Sequence, residues 1–193
     1  MGMPALHRRW TAAQVRELMS DPNPTPRYEL LDGDLFVTPS PRPIHQRVVQ
    51  HLYLLLAPYV ERTGIGEVLL SPADLELEPE TILQPDLFVV PRGHIPDDSW
   101  AAVKALLLAV EVLPPSSAHF DRVRKRRFFQ RIGTPEYWVV DIDARLIERW
   151  RPGDERPELA DGRFEWSPPD ASEPLEIDVA GLFDRARPPR FHE

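Results

Sequence analysis

The chain has 193 residues, no cysteine and a formal net charge of -8. That length fits one domain able to bury about 70% of the surface its unfolded form exposes, and the missing thiols exclude a disulfide framework, a thiolate metal site and a cysteine nucleophile. The acidic balance argues against strong, sequence-blind binding to nucleic acid, because affinity for a phosphate backbone comes mostly from Lys and Arg.

In chain order, the stretch from Met1 to Thr11 lacks the apolar core of a signal peptide. The longest apolar runs fall well short of the roughly 20 residues of a membrane span, so a soluble, cytoplasmic protein that does not engage a membrane is expected. Thr11 is an N-cap for a short helix over Ala12 to Met19, which Asp21-Pro22-Asn23-Pro24-Thr25-Pro26 ends. Two apolar runs around Asp32-Gly33, within Tyr28 to Val37, predict a hairpin whose turn needs positive φ. Ser40 to Pro43 opens a second helix, with proline tolerated in its first turn. At 100° per residue, Val48, Val49, Leu52, Leu55, Leu56, Tyr59 and Val60 share one face of it, with His45 at the centre.

Gly66 to Ser71, Asp74 to Glu78 and Leu83 to Val90 are strand candidates. Leu106 to Leu113 is a continuous apolar run interrupted only by Glu111, the pattern of a strand covered on both faces. A helix from about Ala118 to Ile132, stopped by Gly133, is followed by strands over Glu136 to Asp141 and Leu146 to Trp150. After Pro152 the composition turns acidic and proline-rich. The order predicts a mixed α/β sheet with helices on both sides, divided into an N-terminal helical arm (1–26), a core (27–151) and an extension packing on that core (152–193), the last as a short hairpin or extended segment.

The chemistry concentrates in a few places. Asp86, in Gln84-Pro85-Asp86, and Glu111 are carboxylates at strand ends. Such a pair can hold a hard divalent cation through oxygen ligands, and a lysine beside it, here Lys125, can steady negative charge developing on a phosphate. Glu111 in a covered strand must be neutralised, by a metal, by a lysine or by a proton. Asp121 and Lys125 lie on the apolar face of their helix, with Ala118, Phe128, Phe129 and Ile132; they read either as an ordinary i,i+4 pair or as charges held inward for a purpose. Phe120 and Val123 depart from that pattern. His45 reads equally as a satisfied core histidine or as a phosphate contact or proton shuttle, and Glu29 is a candidate further acid near the metal.

From His119 to Arg131 there are six basic residues against one acid, a local +5 that leaves -13 for the remainder. Its outward members Arg122, Arg124, Arg126 and Arg127 are either a solvated face or a surface that tracks phosphates. Ser116, Ser117, His119 and Asp121 hold triad residue types without a nucleophile elbow and too close together in sequence. Gly64-Ile-Gly66 lacks the rest of a dinucleotide loop, and no P-loop, zincin or EF-hand pattern occurs.

With Tyr28-Glu29-Leu30-Leu31-Asp32-Gly33-Asp34-Leu35, the helix opening at His45, Gln84-Pro85-Asp86, Val110-Glu111-Val112-Leu113, Asp121 with Lys125, and Pro135 to Asp141 in this order, the chain resembles the Uma-two family of restriction-endonuclease-like proteins. That family is a bacterial branch of the PD-(D/E)XK nuclease superfamily. The resemblance implies a restriction-endonuclease-like mixed sheet flanked by helices. It also implies that Asp86 and Glu111 ligate Mg²⁺ or Mn²⁺, with the Val112 backbone carbonyl as a third ligand. The superfamily's usual lysine position, two residues after the glutamate, is Leu113 here; the family pattern moves the lysine to the next helix, which maps it to Lys125. Pro114 stands where a serine is usual, and Phe129 where a tyrosine is common. The expected activity is metal-dependent hydrolysis of phosphodiesters, with DNA as the substrate and a homodimer as the assembly. The rival is a catalytically inactive nuclease fold that binds nucleic acid or protein.

Overall fold

In the computed structural model, residues 9–20, 27–38, 40–95, 99–113 and 120–187 are described. The proline-rich stop at 21–26, Pro114, the serines and histidine at 116–119 and the predicted helix start at Ala118 lie outside these residues. Helix α1 (Ala12–Met19) begins with a full capping box, in which Thr11 and Gln14 satisfy each other's backbone N–H groups. Strands β1 (Arg27–Leu31) and β2 (Asp34–Thr38) form the expected hairpin. Its turn takes positive φ at both Asp32 (53°) and Gly33 (80°), the conformation that suits the twist of a two-residue loop.

Helix α2 (Pro43–Thr63) carries proline at its start and ends on Gly64 in the left-handed region. It is followed by β3 (Gly66–Leu70), β4 (Leu87–Pro91) and β5 (Leu108–Leu113). A π-helical turn (Phe120–Lys125) leads into α3 (Arg126–Arg131), and β6 (Glu136–Asp141), β7 (Leu146–Trp150) and β8 (Glu158–Ala160) come next. The main sheet has six strands in the order β3-β4-β5-β6-β7-β8. Only β5 and β6 are parallel, and they are the pair joined by the crossover through α3, as a parallel connection requires. Strands β9 (Arg163–Trp166) and β10 (Leu175–Asp178) then pair with each other before α4 (Val179–Arg185).

The two faces of β5 sort its side chains by the period of two. Leu108, Val110 and Val112 enter a core shared with α2, β9, β10 and α4. Ala109 and Leu113 enter a second core built with Phe128 and Phe129 of α3 and with Leu31 of β1. Glu111 lies on this second face, between α3 and the hairpin, and all six residues of β5 are buried.

Four elements differ from the sequence pattern. Asp74 to Glu78 forms no strand; Leu75 makes only an isolated bridge with Leu83. The strand expected from Leu83 begins at Leu87, because Pro85 has no N–H and the Gln84 N–H goes to the Glu29 carboxylate at 2.8 Å. The third helix opens as a π turn, whose i→i+5 spacing brings Phe120 inward against Lys125, with Nζ 5.3 Å from the ring centroid. That is why Phe120 did not fit a 100° step. In the C-terminal segment β8 extends the main sheet, and α4, which the composition did not suggest, packs into the core of α2. No helix of the described residues is long and apolar enough to cross a membrane.

The β3–β4 ladder sets the register of β4, and with it the position of Asp86, and it depends on a close approach. A Cβ on Gly66 would overlap the Val90 carbonyl oxygen, a clash that only backbone movement relieves. Gly66→Ala is expected to lower stability by about 1–3 kcal/mol, read from urea melts; an unchanged midpoint would mean that the strand edge yields freely.

Candidate active site

The late start of β4 places Asp86 at a strand end. Because Leu87 pairs with Val110 in antiparallel register, Asp86 lies beside the C-terminal end of β5, where its Oδ2 accepts the Val112 N–H at 2.8 Å. His45, in the first turn of α2, brings Nε2 to 3.1 Å from the same oxygen. Arg27 donates from Nη1 to Oδ1 at 2.8 Å. Burial by itself would raise the Asp86 carboxyl, but the His45 hydrogen bond and the Arg27 charge together hold it well below its ordinary value.

Lys125 comes from the other side. Its side chain is 2% exposed, and Nζ lies 2.9 Å from Glu29 Oε1, 2.8 Å from Glu111 Oε1 and 3.2 Å from Asp121 Oδ1. The Glu29 contact spans the fold, from β1 to the end of the π turn. Burial disfavours the ammonium, yet the three carboxylates, Glu111 foremost, outweigh it and leave Lys125 firmly charged. Lys125 is shared among three buried carboxylates, of which Glu29 also lies 3.8 Å from Arg27. Burial pushes the Glu111 carboxyl well above the ordinary 4.5, and Asp121, Asp86 and Glu29 add to that against the pull of Lys125. The Tyr137 hydroxyl, also pushed up by burial and by these acids, donates to the Asp121 carbonyl at 3.0 Å and anchors the π turn to β6.

Asp86, Glu111, Lys125, Glu29, His45 and Asp121 thus form one buried cluster at the C-terminal end of β5. Two members were not singled out from the sequence. Arg27 follows from strand alternation, since it shares a face of β1 with Glu29; it supplies the cation on Asp86 and lies 3.8 Å from Glu29. Gln84 fixes Glu29 through its backbone N–H, a link that no periodicity reports.

The donor set fits a hard divalent cation in kind. Asp86 and Glu111 offer oxygen ligands at the strand ends, and among the described residues Arg27 and Lys125 are the arginine and lysine in contact with Glu29, Asp86 and Glu111. Among the described residues no three His, Cys, Asp or Glu side chains are grouped so that they could hold a metal ion. Both Asp86 oxygens are engaged by protein donors, and Glu111 Oε1 is engaged by Lys125. A cation held by Asp86 and Glu111 therefore competes with Arg27 and Lys125 for them.

The arginines of this region are mostly committed elsewhere. Arg122 binds Glu148 and Asp141, each at 2.6 Å. Arg124 reaches Asp34 at 3.1 Å and Asp32 at 3.4 Å. Arg126 lies 4.5 Å over the Trp150 ring and bonds Gln130 at 3.0 Å. Arg127 is exposed and makes no ion pair among the described residues.

A family model described as "Uma2: Putative restriction endonuclease" matches residues 13–180. The crystal structure of "a putative nuclease belonging to DUF820" from Anabaena variabilis shares the fold, with a TM-score of 0.73, 21% identity, and coverage of 90% of this chain and 98% of that one. No curated protein matches.

Proposed function

Because the chain belongs to the Uma2 family of restriction-endonuclease type, we propose that it is a divalent-metal-dependent phosphodiesterase acting on DNA, with the buried cluster at the end of β5 as its active site. The observation that carries this reading is the junction of Asp86 with Val112 at 2.8 Å and of Glu111 with Lys125 at 2.8 Å, which joins two acids and a lysine at one strand end. Asp86 and Glu111, with the Val112 carbonyl, would hold Mg²⁺ or Mn²⁺. The chemistry such an ion supplies is polarisation of the phosphate and acidification of an attacking water. Lys125 places a fixed positive charge where the pentavalent phosphate gathers negative charge. Asp121, one helical turn before it, and Glu29 position that ammonium. His45 holds Asp86 in orientation and can pass a proton at Nε2.

A second reading, a binding module on the same fold, draws support from the complete set of protein donors on Asp86. One experiment separates the two. Purified protein should nick supercoiled plasmid in millimolar Mg²⁺ or Mn²⁺ and not in EDTA, and either ion should raise the melting temperature by binding the native state alone. Asp86→Asn should lose both the nicking and the thermal shift. Nicking that survives in Asp86→Asn, or in EDTA, would reject this site; absence of nicking in the wild-type protein at every metal concentration would favour the binding module.

A further inference from the structure

Beside Asp86 the surface opens into a cavity of about 420 Å³, within the range of small-ligand sites. Arg27, His45 and Asp86 lie along it together with Gln84 and Asp74, and Tyr28, Val49 and Leu70 supply apolar walls. Gln46 and Leu70 are exposed, so the cavity reaches solvent.

Its polar members carry unmet bonding capacity. Among the described residues, the buried Arg27 Nε and His45 Nδ1 make no hydrogen bond, and Arg27 Nη2 makes none beyond its 3.8 Å approach to Glu29, a condition that buried polar atoms rarely tolerate without a reason. Asp74 accepts from Gln84 Nε2 at 2.7 Å, so a carboxylate and a carboxamide stand together; such groups pair with the amino and ring nitrogens of bases. Tyr28 adds an aromatic ring on which a base can stack.

The electrostatics elsewhere point the same way. A protein that follows a duplex by its backbone needs a field of free cations. Here the chain carries -8 overall, and Arg16, Arg62, Arg122, Arg124, Arg131, Arg145 and Arg163 are each paired with an acid. Arg47, Arg92, Arg127, Arg156 and Arg185 make no ion pair among the described residues, so a local pocket adds its grip to a small set of free cations.

We propose that this cavity receives one unpaired nucleotide adjacent to the bond that is cut, so that the substrate is single-stranded or locally extruded DNA and not continuous duplex. The inference rests on the nuclease reading of Asp86. A paired base cannot enter; a nucleotide swung out of the stack can. Tyr28 stacks the base, Asp74 and Gln84 read its edge, and Arg27 and His45 meet its phosphate side.

The test is fluorescence anisotropy of a labelled DNA oligonucleotide, alone and annealed to its complement, with full-length protein in EDTA so that no cleavage occurs. The single strand is expected to bind at least about tenfold tighter than the duplex, and a deoxynucleoside monophosphate to compete. Gln46→Trp, which fills the exposed rim, and Tyr28→Leu, which keeps an apolar side chain in the hairpin, should each weaken single-strand binding by about fivefold or more, with melting temperatures reported as the control for folding. Equal affinity for both forms, no binding of either, or variants that fold and bind as the wild type does would each overturn the proposal. Cleavage in Mg²⁺ is scored separately: strand preference without cleavage rejects the catalytic reading and supports the cavity, whereas cleavage without strand preference rejects the cavity alone.

Discussion

Lys125→Met is expected to lose about 3–5 kcal/mol of stability at neutral pH, the cost of leaving buried charge without its partner, together with all metal-dependent cleavage. The side chain is 2% exposed and touches Glu29, Glu111 and Asp121 at 2.8–3.2 Å. Methionine fills the same volume, so packing is kept and only the charge is removed. Three carboxylates then face one another in a water-poor site, and each resists ionisation. The deficit should therefore shrink as the pH falls and these acids take up protons that the unfolded chain binds less readily. Urea melts in EDTA at several pH values measure it. A variant as stable as the wild type at neutral pH would mean that Lys125 is not what holds the acids together. A destabilised variant that still cleaves would remove its catalytic role while leaving its structural one.

Glu111→Gln is expected to do the opposite to stability and the same to activity. With Glu29 and Asp121 still on Lys125, removing one negative charge strands nothing, so in EDTA the variant should be neutral or more stable than the wild type. Cleavage should fall by about 10²–10³-fold, as when one electrostatic contributor is removed from a transition state. The pH dependence carries a definite sign. Glu111 has a folded-state pKa above its ordinary 4.5, so the native state binds more protons than the unfolded state between those two values. Wild-type stability at this residue therefore rises as pH falls through the folded value toward 4.5. Glutamine has no such dependence, so the advantage of the variant should be largest at neutral pH and fade toward pH 4.5. Asp86 acts in reverse. Its carboxyl is held below 3.8, so its contribution is complete above that value and is lost only as the pH drops further. A loss of several kcal/mol in Glu111→Gln at neutral pH would identify Glu111 as the essential counter-ion of Lys125 and weaken its reading as a metal ligand.

Several features of the cluster are visible in the sequence because they are local. A carboxylate within an apolar strand marks Glu111, and the i,i+4 spacing of Asp121 and Lys125 puts both on one face of a helix whatever it packs against. The Asp32-Gly33 turn and the Thr11 cap are equally local. The Arg27–Asp86 pair is not, since its partners lie 59 positions apart, and neither is the Glu29–Lys125 contact across the hairpin. Composition left the basic run open between a solvated face and a phosphate-tracking surface, because it counts charges without their partners; Glu148, Asp141, Asp34 and Asp32, distant in sequence, take up Arg122 and Arg124.

What the sequence determined by itself is therefore most of the helices and strands, the buried faces of α2 and β5, and the inward charges Glu111, Asp121 and Lys125, all of which follow from periodicity and side-chain chemistry over a few residues. Tertiary structure alone decided which of those charges meet. It demoted Asp74 to Glu78 from strand to bridge, tightened Phe120 inward through a π turn, set Arg27 on Asp86, and opened the cavity beside it. Those outcomes depend on strand register and on the packing of segments far apart in the chain, where the free energy of pairing a buried charge is set by whichever partner the fold delivers.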